Sequence, residues 1–306
     1  MISVFLSLAL IAGAGASLRY LFPAMDIEYV RKSISKIVLY IILPALIFNV
    51  IYHADAGRVF YHVPVAAAGG VLVALAVAAV VIRFFRLPDS SKGALILACV
   101  FGNVTYLGLP VLVGIFSDIP EKISVVAVLY DVTASTLLLS VGALVAVRIS
   151  GGSAGGAASL LRRIAKLPPL WALAVALIVK FLHIPLPEFL LSATKTLSVM
   201  AVGLMILSLG MALRPRRVRH IGSLTVVAVI QLIFIPAVVY FIGKALSMEQ
   251  PWFEATVIEA AMPTQLLTLV VADQFNLDTE ILAQAILFTT ILSAFTIPLM
   301  RYLVFM

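Results

Sequence analysis

Charge is scarce in this 306-residue chain: Asp, Glu, Lys and Arg together make up 11% of it, against about a quarter in soluble globular domains. With 63% hydrophobic residues and a mean hydropathy of +1.18, that shortage excludes an ordinary water-soluble fold. Cysteine is nearly missing as well. One residue, Cys99, stands alone, which excludes a disulfide framework and any cysteine-based metal cluster; inside an apolar run it reads as a small packing residue. Histidine is limited to His53, His62, His183 and His220, all at the borders of apolar runs and without metal-ligand spacing. No metal site is expected from them. Neither an HExxH helix, an Asp-rich prenyl-diphosphate motif nor a nucleophile elbow is present, so an intramembrane enzyme using Asp131 and Glu259 as paired carboxylates is a rival without a motif behind it.

What the chain does have is long apolar runs. A hydrocarbon core takes about 20 residues per helix. On that scale ten spans fall near 2–22, 34–52, 60–84, 93–116, 123–147, 168–184, 191–212, 221–246, 253–274 and 281–304. The first run lacks a basic leader, and Arg19 stands where a cleavage site would be expected; it reads as a retained span rather than a signal peptide. Of the 21 Lys and Arg residues, 15 fall in the loops after spans 1, 3, 5 and 7. By the positive-inside rule those loops face the cytoplasm and both termini lie outside, in the periplasm of an inner-membrane protein. The net charge of +7 therefore implies no nucleic acid.

The Gly/Ser and basic stretch 150–166 divides the chain into a first five-helix repeat, 1–149, and a second, 167–306. An odd number of spans per repeat inverts the second copy. At an offset of 159, Thr105, Leu107, Val111, Phe116 and Glu121 meet Thr264, Leu266, Val270, Phe275 and Glu280, five identities in 17 positions. The fold class expected is an all-α polytopic membrane protein of ten transmembrane helices in two inverted repeats.

Two interruptions lie in matching places of the halves. Phe101-Gly102-Asn103-Val104-Thr105-Tyr106 breaks span 4, and Ala261-Met262-Pro263-Thr264-Gln265 breaks span 9. Gly102 and Asn103 tolerate unusual dihedrals, while Pro110 and Pro263 each remove a backbone donor. Paired helix breaks at midplane are the sequence sign of a secondary-transporter binding site. Opened half-helices present N–H groups and about +0.5 charge, which suits carboxylates and other anions; the opposite carbonyl ends suit cations. Asp131 and Glu259 lie inside apolar runs, where ionised side chains mark function by default. Asp131 and Ser135 share a helix face, and Glu259 sits one turn before Pro263. With Asn103 these would hold Na⁺ or a proton, and the residue types do not choose between the two. Pro44 would bend span 2 and let Asn49 reach the cavity. Lys36, Lys180 and Lys195 read as snorkelling side chains, and Gln231 and Gln284 as inter-helix hydrogen-bonding residues.

These residues resemble the auxin efflux carrier family, including its bacterial members. Leu43-Pro44-Ala45-Leu46-Ile47-Phe48, Gly102-Asn103-Val104-Thr105-Tyr106-Leu107-Gly108-Leu109-Pro110, Ala261-Met262-Pro263 and the run from Thr289-Thr290-Ile291-Leu292-Ser293 to Pro298 carry the likeness over nearly the whole chain. The resemblance implies crossing broken helices 4 and 9 and a division into scaffold and transport parts, a fold shared with bile-acid/sodium symporters. Glu259, Met262 and Gln265 look similar to the sodium ligands of those symporters. Two departures stand out. Thr264-Gln265-Leu266-Leu267 replaces the second proline and asparagine of many bacterial relatives, and the long cytoplasmic loop of the plant carriers is absent.

The function expected is secondary active transport of a small organic anion, a carboxylate by preference, through alternating access against spans 1, 2, 6 and 7. Asn49, Gly102, Asn103, Val104, Thr105, Tyr106, Pro263, Thr264 and Gln265 would bind substrate. Asn103, Asp131, Ser135, Glu259, Met262 and Gln265 would hold the coupling Na⁺ or proton. A sodium-coupled carrier of bile-acid-like or other amphipathic anions is the rival within transport. No organic cofactor is expected; membrane lipid and a second copy of the chain are the other expected partners.

Overall fold

The computed structural model describes residues 2–54, 57–149, 168–212 and 220–305, and every regular element among them is helical. The expected linker at 150–166 and the basic loop Arg214–Arg217 lie outside these residues. Six helical runs are long and apolar enough to cross a membrane: Ile27–His53, Val59–Phe84, Pro120–Ile149, Glu188–Met211, Ile221–Ala245 and Thr279–Phe305. Shorter apolar helices run over Leu6–Leu21, Tyr106–Ile115 and Pro168–Phe181. Many large apolar side chains stay exposed, among them Leu10, Phe84, Phe189, Val199 and Phe295. Such a surface suits hydrocarbon, not water.

Several of these runs are not uniform α-helix. Wide π turns occupy Val38–Ile42, Val104–Gly108, Leu138–Gly142 and Ile230–Phe234. Three of the four end two residues before a proline: Pro44, Pro110 and Pro236. Proline lacks an N–H and its ring crowds the turn before it, and a π turn is one way a helix absorbs that misfit without ending. Pro110 consequently does not break span 4. It sits at the second position of the half-helix Leu109–Ile115, where no N–H is required; the interruption falls earlier, at Phe101–Asn103.

The chain forms two compact units, and each draws on both halves of the sequence. The first comprises Met1–Gly57, Thr105–Val128 and Ala165–Pro215. Here Ile2–Leu21 packs along Glu188–Ala212, and Pro168–Phe181 packs on Leu43–His53. A Cβ at Gly210 would overlap the backbone carbonyl of Ala12, so small residues set this helix pair's spacing. The variant Gly210→Val is expected to lower the midpoint of thermal unfolding in detergent by several degrees, because the clash is with backbone, which cannot rotate away. An unchanged midpoint would show that the two helices are not in this register. Lys180 does not snorkel. Its Nζ donates to the carbonyls of Tyr52, at 3.1 Å, and Ala54, placing a cation on the C-terminal carbonyls of Leu43–His53, where the helix dipole favours one.

The second unit comprises Arg58–Val104, Leu129–Ile164 and Arg216–Met306. Its core is built around Asp89–Val100, which is buried on nearly every side and touches Ala143–Ile149, Thr279–Phe305 and Val59–Val81. At one end of the unit the Ser91 hydroxyl donates to Asp278 Oδ2 at 2.7 Å, while Asp278 Oδ1 accepts the N–H of Ile281 at 3.1 Å and caps the last helix. Elsewhere Arg301 Nε pairs with Glu254 Oε1 at 2.5 Å, both side chains being largely buried.

Candidate functional site

Both helix interruptions belong to the second unit, and each satisfies the other. Asp89–Val100 stops at Phe101, whose backbone turns extended at φ −109°, ψ 107°. Trp252–Ala260 stops at Ala261 and helix resumes only at Leu267. Between these ends Gly102 and Thr264 form an isolated antiparallel bridge. The Asn103 N–H donates to the Pro263 carbonyl at 2.6 Å, and the Gln265 N–H donates to the Phe101 carbonyl at 2.8 Å. In hydrocarbon an unpaired backbone group costs several kcal/mol, so an open helix persists only where partners are supplied. Here two short extended segments supply them reciprocally. Gly102 is required by the closeness of this approach: a Cβ there would stand 3.1 Å from both the Met262 carbonyl oxygen and Gln231 Nε2.

Side chains complete the crossing. The Thr264 hydroxyl donates to the Ala98 carbonyl at 2.8 Å, one of the acceptors freed when the helix ends. Thr264 N–H donates to Thr289 Oγ1 at 3.1 Å, and that hydroxyl in turn donates to the Ala285 carbonyl at 2.8 Å. Gln231 Nε2 donates to the Met262 carbonyl at 2.8 Å. Pro263 contributes its carbonyl and, having no N–H, leaves no donor to be satisfied.

Around this frame lie polar groups that the protein leaves without hydrogen-bond partners. Asn103 is fully buried, and neither its Nδ2 nor its Oδ1 is paired. Glu259, in the last turn before the second break, is fully buried with both carboxyl oxygens unpaired. Gln265 reaches Ser135 Oγ from Nε2 at 3.5 Å, and its Oε1 is unpaired. Ser135 Oγ donates to Asp131 Oδ1 at 3.2 Å, so the predicted one-turn pairing on a shared helix face is present. Asp131 and Glu259 lie within electrostatic reach of each other, as do Tyr130 and Glu259. Buried polar groups in proteins are nearly always paired, and a concentration of unpaired ones is the chemistry of a place that pairs with something else. Asn103 offers both a donor and an acceptor; an ionised Glu259 offers acceptors alone.

Of the residues singled out from sequence, the second unit holds Gly102, Asn103, Val104, Asp131, Ser135, Glu259, Met262, Pro263, Thr264 and Gln265. Val104 and Met262 are buried apolar neighbours of the crossing. Asn49, Thr105 and Tyr106 belong to the first unit. There Asn49 has an unpaired Oδ1, its carbonyl pairs with the His53 ring at 2.8 Å, and Tyr106 is half-buried. Thr289 and Ala98 were not legible as parts of the site. For the first, the signal is its place in the family-like run from Thr289 to Pro298, which gives it no stated role; a backbone carbonyl leaves none.

Comparison with known proteins bears on this geometry. The chain matches the membrane transport protein family over residues 4–150 and 157–301. It is 30% identical over 271 residues to an uncharacterised transporter of Methanothermobacter thermautotrophicus, covering 88% of this chain and 87% of the relative. An uncharacterised transporter of Methanocaldococcus jannaschii is 29% identical over 221 residues, which is 71% of this chain and 70% of that protein.

Proposed function

Because the chain belongs to the membrane transport protein family, that of the auxin efflux carriers, we propose that this transporter moves a small organic anion, a carboxylate, by secondary active transport with alternating access. One observation carries the reading. Two broken helices cross at Gly102 and Thr264, and buried, unpaired groups of Asn103, Glu259 and Gln265 surround the crossing. Asn103, with a donor and an acceptor both unpaired, is the substrate-orienting side chain. Glu259, with Asp131, Ser135 and Gln265, holds the coupling Na⁺ or proton. The half-helix Leu267–Gln274 begins just beyond the second break, where dipole and N–H groups favour negative charge. In the bilayer the chain makes ten spans in two inverted repeats, with both termini outside the inner membrane. The asymmetry of Lys and Arg among the loops supports that orientation.

The test is uptake into proteoliposomes of labelled acetate, pyruvate, succinate and benzoate under imposed Na⁺ and pH gradients. At least one should accumulate. The variant Asn103→Ala should lower its uptake by about tenfold or more, since losing one hydrogen bond to a charged ligand costs about 1.5–3 kcal/mol. Should no panel member accumulate or exchange, and Asn103→Ala leave every flux unchanged, the assignment of transport to this crossing fails.

A further inference from the structure

We infer that Gln231 is a positioning residue of the binding site: its amide holds the Met262 carbonyl beside the second break, and its own carbonyl oxygen is left as an acceptor at the crossing. This rests on the reading of the crossing as the place where substrate and coupling ion bind. Gln231 comes from a third element, the helical run Ile221–Ala245, which carries neither interruption. It is almost completely buried within the π turn Ile230–Phe234. Turns of this kind occur often at functional sites.

The orientation of the amide is determined by its partner. The Met262 carbonyl accepts only, so the group facing it at 2.8 Å is Nε2. Oε1 then occupies the other arm of the amide, buried and without a hydrogen-bond partner. Were Gln231 needed only to fill space, leucine would do so without burying an unpaired oxygen. Were it needed only to satisfy Met262, a donor alone would suffice. A side chain that is anchored through its donor and bare at its acceptor is built to hold one group and face another. Gly102 lies against the same amide, a Cβ there standing 3.1 Å from Nε2. The pose of Gln231 is thus set by both broken segments. Since Met262 directly precedes Pro263-Thr264-Gln265, the anchor also fixes where Gln265 begins its reach to Ser135.

Two measurements test this: the half-saturation concentration for uptake of the accumulating panel member, and thermal unfolding in detergent with and without that anion, in NaCl and in choline chloride. For Gln231→Leu the ligand-free midpoint should fall by a few degrees, because the buried Met262 carbonyl loses its donor. The half-saturation constant for the anion or for Na⁺ should rise about tenfold, and the ligand-dependent rise in the midpoint should shrink with it. Gln231→Glu, assayed at acidic pH where its acid form keeps both a donor and an acceptor, should restore most of the affinity that leucine loses. If Gln231→Leu binds and transports with wild-type constants, the inference is wrong and the crossing remains the site. Should leucine prevent folding, the glutamate variant decides: folded but as weak as a variant with no polar group, such as Gln231→Met, it overturns the inference. If wild type is neither stabilised by nor transports any panel member, the reading of the crossing as a binding site has failed, and the role of Gln231 fails with it.

Discussion

Replacing Glu259 by glutamine is expected to abolish gradient-driven accumulation while leaving the protein folded and at least as stable as wild type. The two halves of that expectation follow from one fact. Both carboxyl oxygens of Glu259 are buried and unpaired within the protein, so the carboxylate contributes no hydrogen bond to folding that glutamine would remove. Bearing a charge there is costly: even insertion scales put an acidic side chain at the bilayer centre at about 2.5 kcal/mol or more. An isosteric neutral side chain relieves that cost. On the proposed function, what glutamine takes away is the charge that would compensate a bound cation or accept a proton. Removing one partner of a buried charge pair costs about 3–5 kcal/mol, which is a factor of about a hundred to a few thousand in occupancy. Uptake driven by a Na⁺ or pH gradient should fall accordingly, with exchange of internal for external anion retained better than net accumulation. Asp131 gives the comparison. Ser135 already donates to it, so Asp131→Asn should cost less than Glu259→Gln. If Glu259→Gln accumulates substrate to the wild-type ratio, the coupling role passes to another residue.

The breaks were legible because glycine, asparagine and proline punctuate otherwise apolar runs, and their chemistry inside a span has few readings. Asp131, Ser135 and Glu259 were legible for a related reason: charge in hydrocarbon needs an explanation, and helical spacing places Asp131 and Ser135 on one face. The pairing that joins the two breaks was not. The bonds from Asn103 to Pro263 and from Gln265 to Phe101 are between backbone groups, which any residue but proline carries, so no side-chain pattern announces them. Thr264 is an instructive middle case. Its place in the second opened segment makes it an expected substrate contact. In the structure its hydroxyl and its N–H are both committed, to Ala98 and Thr289, and its role is to build the frame. Asn103 and Gln265 keep unpaired atoms and stay the better candidates for contact. The π turns were hidden too: hydropathy reports how apolar a span is, not how many residues make each turn. So was the composition of the two compact units, because spans drawn from one apolar alphabet do not declare their neighbours.

The variant Gly102→Val is expected to remove transport altogether and to lower thermal stability, the opposite pattern to Glu259→Gln. At this position the first Cβ already stands 3.1 Å from the Met262 carbonyl oxygen and from Gln231 Nε2. Alanine asks each neighbour to give by a few tenths of an ångström; valine adds two branches that have nowhere to go. Overpacking of this kind costs about 1–3 kcal/mol. The segments answer by separating, and each of the two crossing bonds then left unmade exposes a buried donor and acceptor at about 1–3 kcal/mol per group. Gly102→Ala should therefore transport with reduced capacity, and Gly102→Val not at all. Gly203 is the control. Its Cβ would meet nothing within 4 Å, and alanine there should be neutral or slightly stabilising, since glycine within a helix costs about 1 kcal/mol relative to alanine. The measurements are thermal unfolding in detergent and uptake in proteoliposomes for all three variants. Wild-type flux in Gly102→Val would mean that the two broken segments do not meet at this residue. A loss of flux with no loss of stability would mean that the crossing bonds do not hold the unit together, and that glycine is needed there to leave room for the ligand instead.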